Sequence, residues 1–412
     1  WYYSLRIVEE KRMEFKQKRA CIVYAISALF AALIYSYKDA KWVNEKYAMF
    51  FKRGDTSSLV YIILIYSALL VLTIIAVSKI CENRRWFLYG AEFVLIILFY
   101  FVKSILEDGT YLAITSPTTP IIYILALAVF VGMDGDIWET ITKCLPILII
   151  IHIALFAYEY VTLVAEHGVV VVGNSSLIYY FVSLFWCSVI YLSDRVLREE
   201  GVGFWQMALI GCNIIFAVII NSRSWIIQAC LVGIVIYLFG ASKHNIRSKI
   251  FRLILLVLMG YVVLQILNAY FPSSMTLLYN KLGQNSRSHQ YAEIAKASSL
   301  LGWIFGNGAT AVYYDSAQGN IANIDNQYLF ISFHYGASFM LMWLGPQLAA
   351  FICALKKCSK KMISLLPILC WFMALGGLSI FNVVYCDLKQ ALIMLYMGHI
   401  LSLNDHGGYA DE

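Results

Sequence analysis

Five short segments carry the residue types that chemistry needs. Asn221-Ser222-Arg223-Ser224-Trp225 sets a guanidinium in a turn of two or three residues between two apolar stretches. Held that tightly, an Arg presents a fixed fork of donors suited to phosphate oxygens; an Arg at a helix end also serves as a snorkelling anchor, with Trp225 as an interface aromatic. A second guanidinium, Arg287, lies in Lys281-Leu282-Gly283-Gln284-Asn285-Ser286-Arg287-Ser288-His289. Asp325-Asn326-Gln327-Tyr328-Leu329 places a carboxylate where an apolar run begins, a helix-cap position that also holds a side chain firmly enough to act as a general base. Between them, Gly302-Trp303-Ile304-Phe305-Gly306-Asn307-Gly308 is a glycine turn without the strand before and helix after that a dinucleotide site needs. The one Asp-x-Asp, Asp134-Gly135-Asp136, reads as a solvated turn.

The elements that must position these groups are membrane helices. Of 412 residues, 61% are hydrophobic and 14% charged, against about 45–50% and ~25% in soluble domains. That composition excludes a secreted enzyme, a nucleic-acid binder and a disordered chain, and the long apolar blocks exclude a transmembrane barrel. With about 20 residues needed to cross a bilayer, the chain reads as all-α and polytopic, with about twelve spans: 21–37, 58–78, 87–105, 120–133, 141–163, 176–193, 204–221, 224–240, 253–270, 326–355, 362–381 and 388–403. The block 120–133 is short and bounded by Pro120, and Gly345-Pro346 is the expected kink in the longest. With both termini placed in the cytoplasm, 20 Lys and Arg fall inside and 11 outside, five of the latter in the loop 38–56. One outer loop, 271–325, joins the ninth and tenth spans and runs to 55 residues, a length that implies recognition or chemistry on the outer face. The whole chain is one integral membrane domain, and no two-fold repeat of the transporter kind is visible in it.

The order of these features, a Ser-Arg turn between two helices, a large outer loop with an Arg, a Gly-x-Gly, then Asp-Asn-x-Tyr-Leu and Gly336 eleven residues after the Asp, resembles the O-antigen ligase/polymerase superfamily over roughly residues 204–355. The first 200 residues match it only in hydropathy. The resemblance implies a polytopic glycosyltransferase of the bacterial inner membrane, facing the periplasm or exterior, that joins undecaprenyl-pyrophosphate-linked glycan units. It implies Arg223 and Arg287 as holders of the lipid pyrophosphate. Asp325 stands where the ligases keep a His, a departure that favours the Wzy-type polymerase branch and makes Asp325 the expected base, with His289 and His334 as alternatives. Donor and acceptor glycolipids, the bilayer and a chain-length regulator are the implied partners; no cofactor, metal or nucleic acid is implied. Glycosyl transfer from a lipid pyrophosphate needs the leaving diphosphate stabilised and the acceptor hydroxyl deprotonated, and two Arg with one base meet that need.

Two other readings stay open. A ligase would differ in its acceptor. A lipid-glycan flippase or other transporter would place polar groups within the spans, and His152, Glu159 and Lys143 in the fifth block are the candidates. A His in mid-helix is more commonly packed against a polar neighbour.

Overall fold

Apolar blocks of this length form helices in a bilayer because every backbone N–H and C=O is then satisfied within the segment. The computed structural model of the chain follows that rule and is predominantly helical. It describes all residues except 1, 39, 46–47, 53–57, 83, 111–118, 169–171, 173–176, 241–253, 255–257, 259, 263, 271, 283–286, 316–318, 322–323, 359, 379–386 and 404–412. In chain order come α1 (Tyr2–Lys38), a hairpin of β1 (Lys41–Glu45) and β2 (Ala48–Lys52), α2 (Leu59–Glu82), α3 (Arg84–Asp108), a 3-10 run (Pro120–Leu127) leading into α4 (Ala128–Gly132), α5 (Gly135–His167), α6 (Leu177–Leu197), α7 (Phe204–Ile219) and α8 (Arg223–Phe239). The segment 271–325 contains α9 (Pro272–Leu282), α10 (Arg287–Ala297), α11 (Leu300–Phe305) and a hairpin of β3 (Tyr313–Asp315) and β4 (Gly319–Ile321). The chain then returns through α12 (Gln327–Lys357), α13 (Lys361–Met373) with a π turn at Ala374–Leu378, and α14 (Leu388–Ser402).

Among the described residues, six helices are long and apolar enough to cross a membrane: Lys16–Lys38, Leu59–Glu82, Trp86–Glu107, Gly135–His167, Tyr180–Leu197 and Gln327–Lys356. Pro120–Gly132, Phe204–Ile219, Arg223–Phe239 and Lys361–Gly377 are apolar but shorter. Of the expected span 253–270, residues 254, 258, 260–262 and 264–270 are described, and all of them are helical. Helix α2 shows how such a helix is divided: Ile65, Ala68, Leu69, Leu72, Ile75, Ala76 and Ile80 are buried on one face, while Leu70 and Ile74 are exposed on the other. Both faces are apolar, as expected where one meets protein and the other lipid.

The centre of the bundle is α14, buried along almost its whole length. It crosses α4 at backbone contact, because a β-carbon on Gly132 would lie 1.9 Å from the Leu395 carbonyl oxygen and one on Gly398 would lie 1.8 Å from that of Val129. Small residues at a crossing let membrane helices approach this closely. Gly398→Ala should therefore destabilise the protein by about 3 kcal/mol, since neither backbone can yield, and thermal unfolding in detergent measures it.

The longest helix breaks in an unexpected place. Residue Pro346 sits inside α12, and the non-helical backbone is at Gly336, with φ 90° and ψ 157°. Proline removes one hydrogen bond, which a long helix in lipid accommodates; the break at Gly336 has a tertiary cause, described next. Asp134 N-caps α5 by accepting from the backbone N–H groups of Asp136 and Ile137, and it pairs with Lys79 at 3.1 Å, so the Asp-x-Asp is a capped helix start.

Candidate functional site

The turn carrying Arg223 is built from the C-terminus of α7. Asn221 takes a left-handed conformation with φ 62°, which Asn tolerates. The N–H of Ser222 then donates to the Ala217 carbonyl at 2.8 Å and that of Asn221 to Val218 at 3.0 Å, the glycine-type helix stop with Asn in the glycine position. Ser222 is at once the last residue of this stop and the N-cap of α8, which accounts for the shortness of the turn. Its hydroxyl makes no capping bond. Asn221 and Ser222 are 2% and 6% exposed, and the Asn221 amide and Ser222 hydroxyl have no hydrogen-bond partner among the described residues. Buried polar groups are almost always paired.

Arg223 is half-buried as the first residue of α8. The positive end of a helix dipole disfavours a cation and favours an anion, so helix stability does not explain an Arg here. Trp225 corrects the sequence expectation: it is fully buried rather than at an interface, and its indole N–H donates to Asn213 Oδ1 at 3.2 Å.

The second component starts one residue later than expected. Asn326, not Asp325, is the N-cap: its Oδ1 accepts from the N–H groups of Tyr328 and Leu329 at 3.0 and 3.3 Å, and the helix begins at Gln327. Asp325 precedes the cap and is exposed. Its carboxylate is thus not committed to holding the helix start.

Arg223 and Asp325 lie at the same end of the bundle on either side of α13. Five residues past Arg223, Gln228 donates to the Cys370 carbonyl at 3.4 Å, and three residues past Asp325, the Tyr328 hydroxyl donates to that of Phe372 at 3.2 Å. The side chains of Arg287 and His289 lie outside the described residues, so the expected convergence of the two guanidiniums has no measured distance.

The glycine turn has a structural role that its sequence did not reveal. At Gly336 the helix stops turning regularly, leaving carbonyls before the break without helical partners. The 302–308 turn supplies them: Asn307 donates its N–H (2.9 Å) and Nδ2 (2.8 Å) to Phe333, and Gly308 its N–H (3.0 Å) to His334. The Tyr100 hydroxyl, from α3, lies 2.7 Å from the Tyr335 carbonyl and 2.9 Å from that of Phe305. A β-carbon on Gly336 would lie 2.2 Å from the Ile304 carbonyl oxygen, so the two backbones meet face to face. The N–H groups of Asn307 and Gly308 are therefore taken up by α12 carbonyls.

His334 belongs to the same clamp. It is completely buried, with Nδ1 3.0 Å from the Gly308 carbonyl, which makes Nδ1 the protonated nitrogen. His152 in α5 is held between the Leu148 carbonyl (2.7 Å) and the Ser183 hydroxyl (2.6 Å), the polar neighbours expected of a packed His.

The sequence reading did not single out the start of α14. Asp387 is its N-cap, accepting from the N–H of Gln390 at 3.2 Å, and pairs with Lys389, which is 1% exposed. Lys389 sits two residues into a run read as a span, where a charge passes for part of the loop. The signal was the Asp-Leu-Lys-Gln sequence at a helix start, which puts charge and amide into the interior when the start is deep. Among the described residues, no group of three His, Cys, Asp or Glu is placed to hold a metal ion.

No family model, curated protein or solved structure matches this chain. The functional reading therefore rests on the geometry above and on the motif order.

Proposed function

We propose that the protein is a membrane glycosyltransferase that polymerises undecaprenyl-pyrophosphate-linked oligosaccharide units on the outer face of the bacterial inner membrane. The observation that carries this reading is the Asn221-Ser222-Arg223 turn. Buried polar groups without protein partners, a helix N-terminus and a guanidinium meet there, at the same end of the bundle as the exposed Asp325. Such a turn suits the oxygens of a diphosphate leaving group, and an exposed carboxylate at that end suits deprotonation of an acceptor hydroxyl. Arg287 joins Arg223 in this reading, and the base is Asp325, with His289 the alternative that the fold leaves open. His334 supports the clamp rather than proton transfer, because its ring is sealed beneath the glycine turn.

The transporter reading loses its strongest candidate, since both nitrogens of His152 already face polar partners. A ligase differs from a polymerase only in acceptor, and the motif order with Asp at position 325 favours the polymerase. The topology that accompanies this reading has twelve spans, cytoplasmic termini and 271–325 outside. Tyr314 is 66% exposed within that segment, so Tyr314→Cys in a Cys386→Ser background should react with an impermeant thiol reagent added outside the cell. Labelling only after the membrane is opened would reverse the orientation.

The direct test is purified protein with a synthetic lipid-pyrophosphate repeat unit, scored for a ladder of products. A ladder is expected, and it should persist in EDTA, because the charge stabilisation is assigned to Arg side chains. Loss in EDTA with recovery on adding magnesium would overturn the metal-independent form of the reaction, and a single transfer to a non-lipid-pyrophosphate acceptor would make the protein a ligase.

A further inference from the structure

Helix α14 begins deep in the bundle. The Tyr396 hydroxyl donates to the Ser364 carbonyl, and six residues further from the cytoplasmic end on each helix lie Gln390 on α14 and Cys370 on α13. That level is nine residues, or about 14 Å, from Lys361 at the start of α13, close to half of a ~30 Å hydrocarbon core. A second pairing gives the same level: Cys353 donates to the Ile400 carbonyl, and ten residues before each lie Trp343 on α12 and Gln390 on α14. The 3-10 run also packs on α14, and the Tyr123 ring lies 6.1 Å from that of Trp343.

Three side chains on three elements are thus at one depth, and all are sealed. Tyr123, Trp343 and Gln390 are each 0% exposed, and the Tyr123 hydroxyl, the Trp343 indole N–H and both polar atoms of the Gln390 amide have no hydrogen-bond partner among the described residues. Beside them the start of α14 carries the Asp387–Lys389 ion pair. In hydrocarbon, buried polar groups in such number mark a functional site.

Their chemistry is specific. The indole N–H only donates, the phenol does both, and the amide offers two donors and an acceptor. The ion pair cancels its own charge and so gives no preference to a net anion or cation. A group that donates and accepts at the same atom fits, and that group is a hydroxyl. Resting on the transferase reading, we infer that the start of α14 is a subsite for hydroxyls of the glycosyl portion of the lipid-linked substrate, with Gln390, Trp343 and Tyr123 setting its sugar selectivity.

The test uses the full chain in a non-sugar detergent and two probes, undecaprenyl pyrophosphate and undecaprenyl-pyrophosphoryl-N-acetylglucosamine, with retention read by native mass spectrometry. The wild type should retain the sugar-bearing probe about tenfold better, the scale of one hydrogen bond made in a sealed site. Gln390→Leu and Trp343→Phe should each erase most of that preference and leave retention of undecaprenyl pyrophosphate unchanged. Gln390→Leu should also raise the melting temperature, because Leu fills the same volume without an unpaired amide; a purely structural Gln would give a lower one. Equal retention of the two probes by the wild type, as expected if the groups hold only ordered water, overturns the subsite and leaves the transferase reading standing. A preference that survives in both variants does the same. Retention of neither probe overturns the transferase reading, and the subsite with it.

Discussion

Asp325→Asn should lower ladder formation by about 100-fold or more, the scale of losing a general base, while the melting temperature stays at the wild-type value. The second half of that expectation comes from the fold. Asn326 holds the start of α12 through its own Oδ1, so changing the residue before it removes a charge and disturbs no cap. Full polymer from Asp325→Asn, with loss in His289→Ala, would give the base to His289. His334→Ala is a different experiment: it opens the clamp at the Gly308 carbonyl, and any loss of product there should arrive with a lower melting temperature.

Arg223→Lys should reduce turnover by about 100-fold, comparable to removing one donor from a site that stabilises developing negative charge. The ammonium keeps the charge and loses the bidentate fork. Because Arg223 stands at the positive end of α8, the substitution should not weaken the fold, and Arg223→Gln should if anything relieve the helix dipole. Normal chain length and rate in Arg223→Lys, measured in the same ladder assay, would remove the pyrophosphate role. Both variants belong in one experiment, since a loss in each at unchanged stability separates a reacting site from a damaged scaffold.

How far the sequence reaches depends on which interactions decide each feature. The helices were legible because hydropathy alone determines them: the apolar blocks 21–37, 87–105 and 141–163 lie wholly within helices, and most of 58–78 and 204–221 does. The Arg223 turn was legible too, since Asn221-Ser222 at the junction of two apolar runs leaves room for nothing longer. The cap of α12 was read one residue early, because Asp325 and Asn326 are both good caps and only the hydrogen bonds choose. The break in α12 was assigned to Gly345-Pro346, the local signal, whereas a turn more than 25 residues earlier in the chain imposes it at Gly336. Lys389 was not singled out, because hydropathy tells where an apolar run starts along the chain, not how deep in the bundle it starts.

The docking of the glycine turn onto α12 restricts how the segment 271–325 can move. Phe333 and His334 take hydrogen bonds from Asn307 and Gly308, and lifting the turn would strand these two carbonyls in an apolar setting. At about 1–3 kcal/mol for each stranded group, an undocked state holds about one molecule in thirty or fewer. Residues 300–308 are therefore a hinge pin rather than a door: they turn with α12 or not at all.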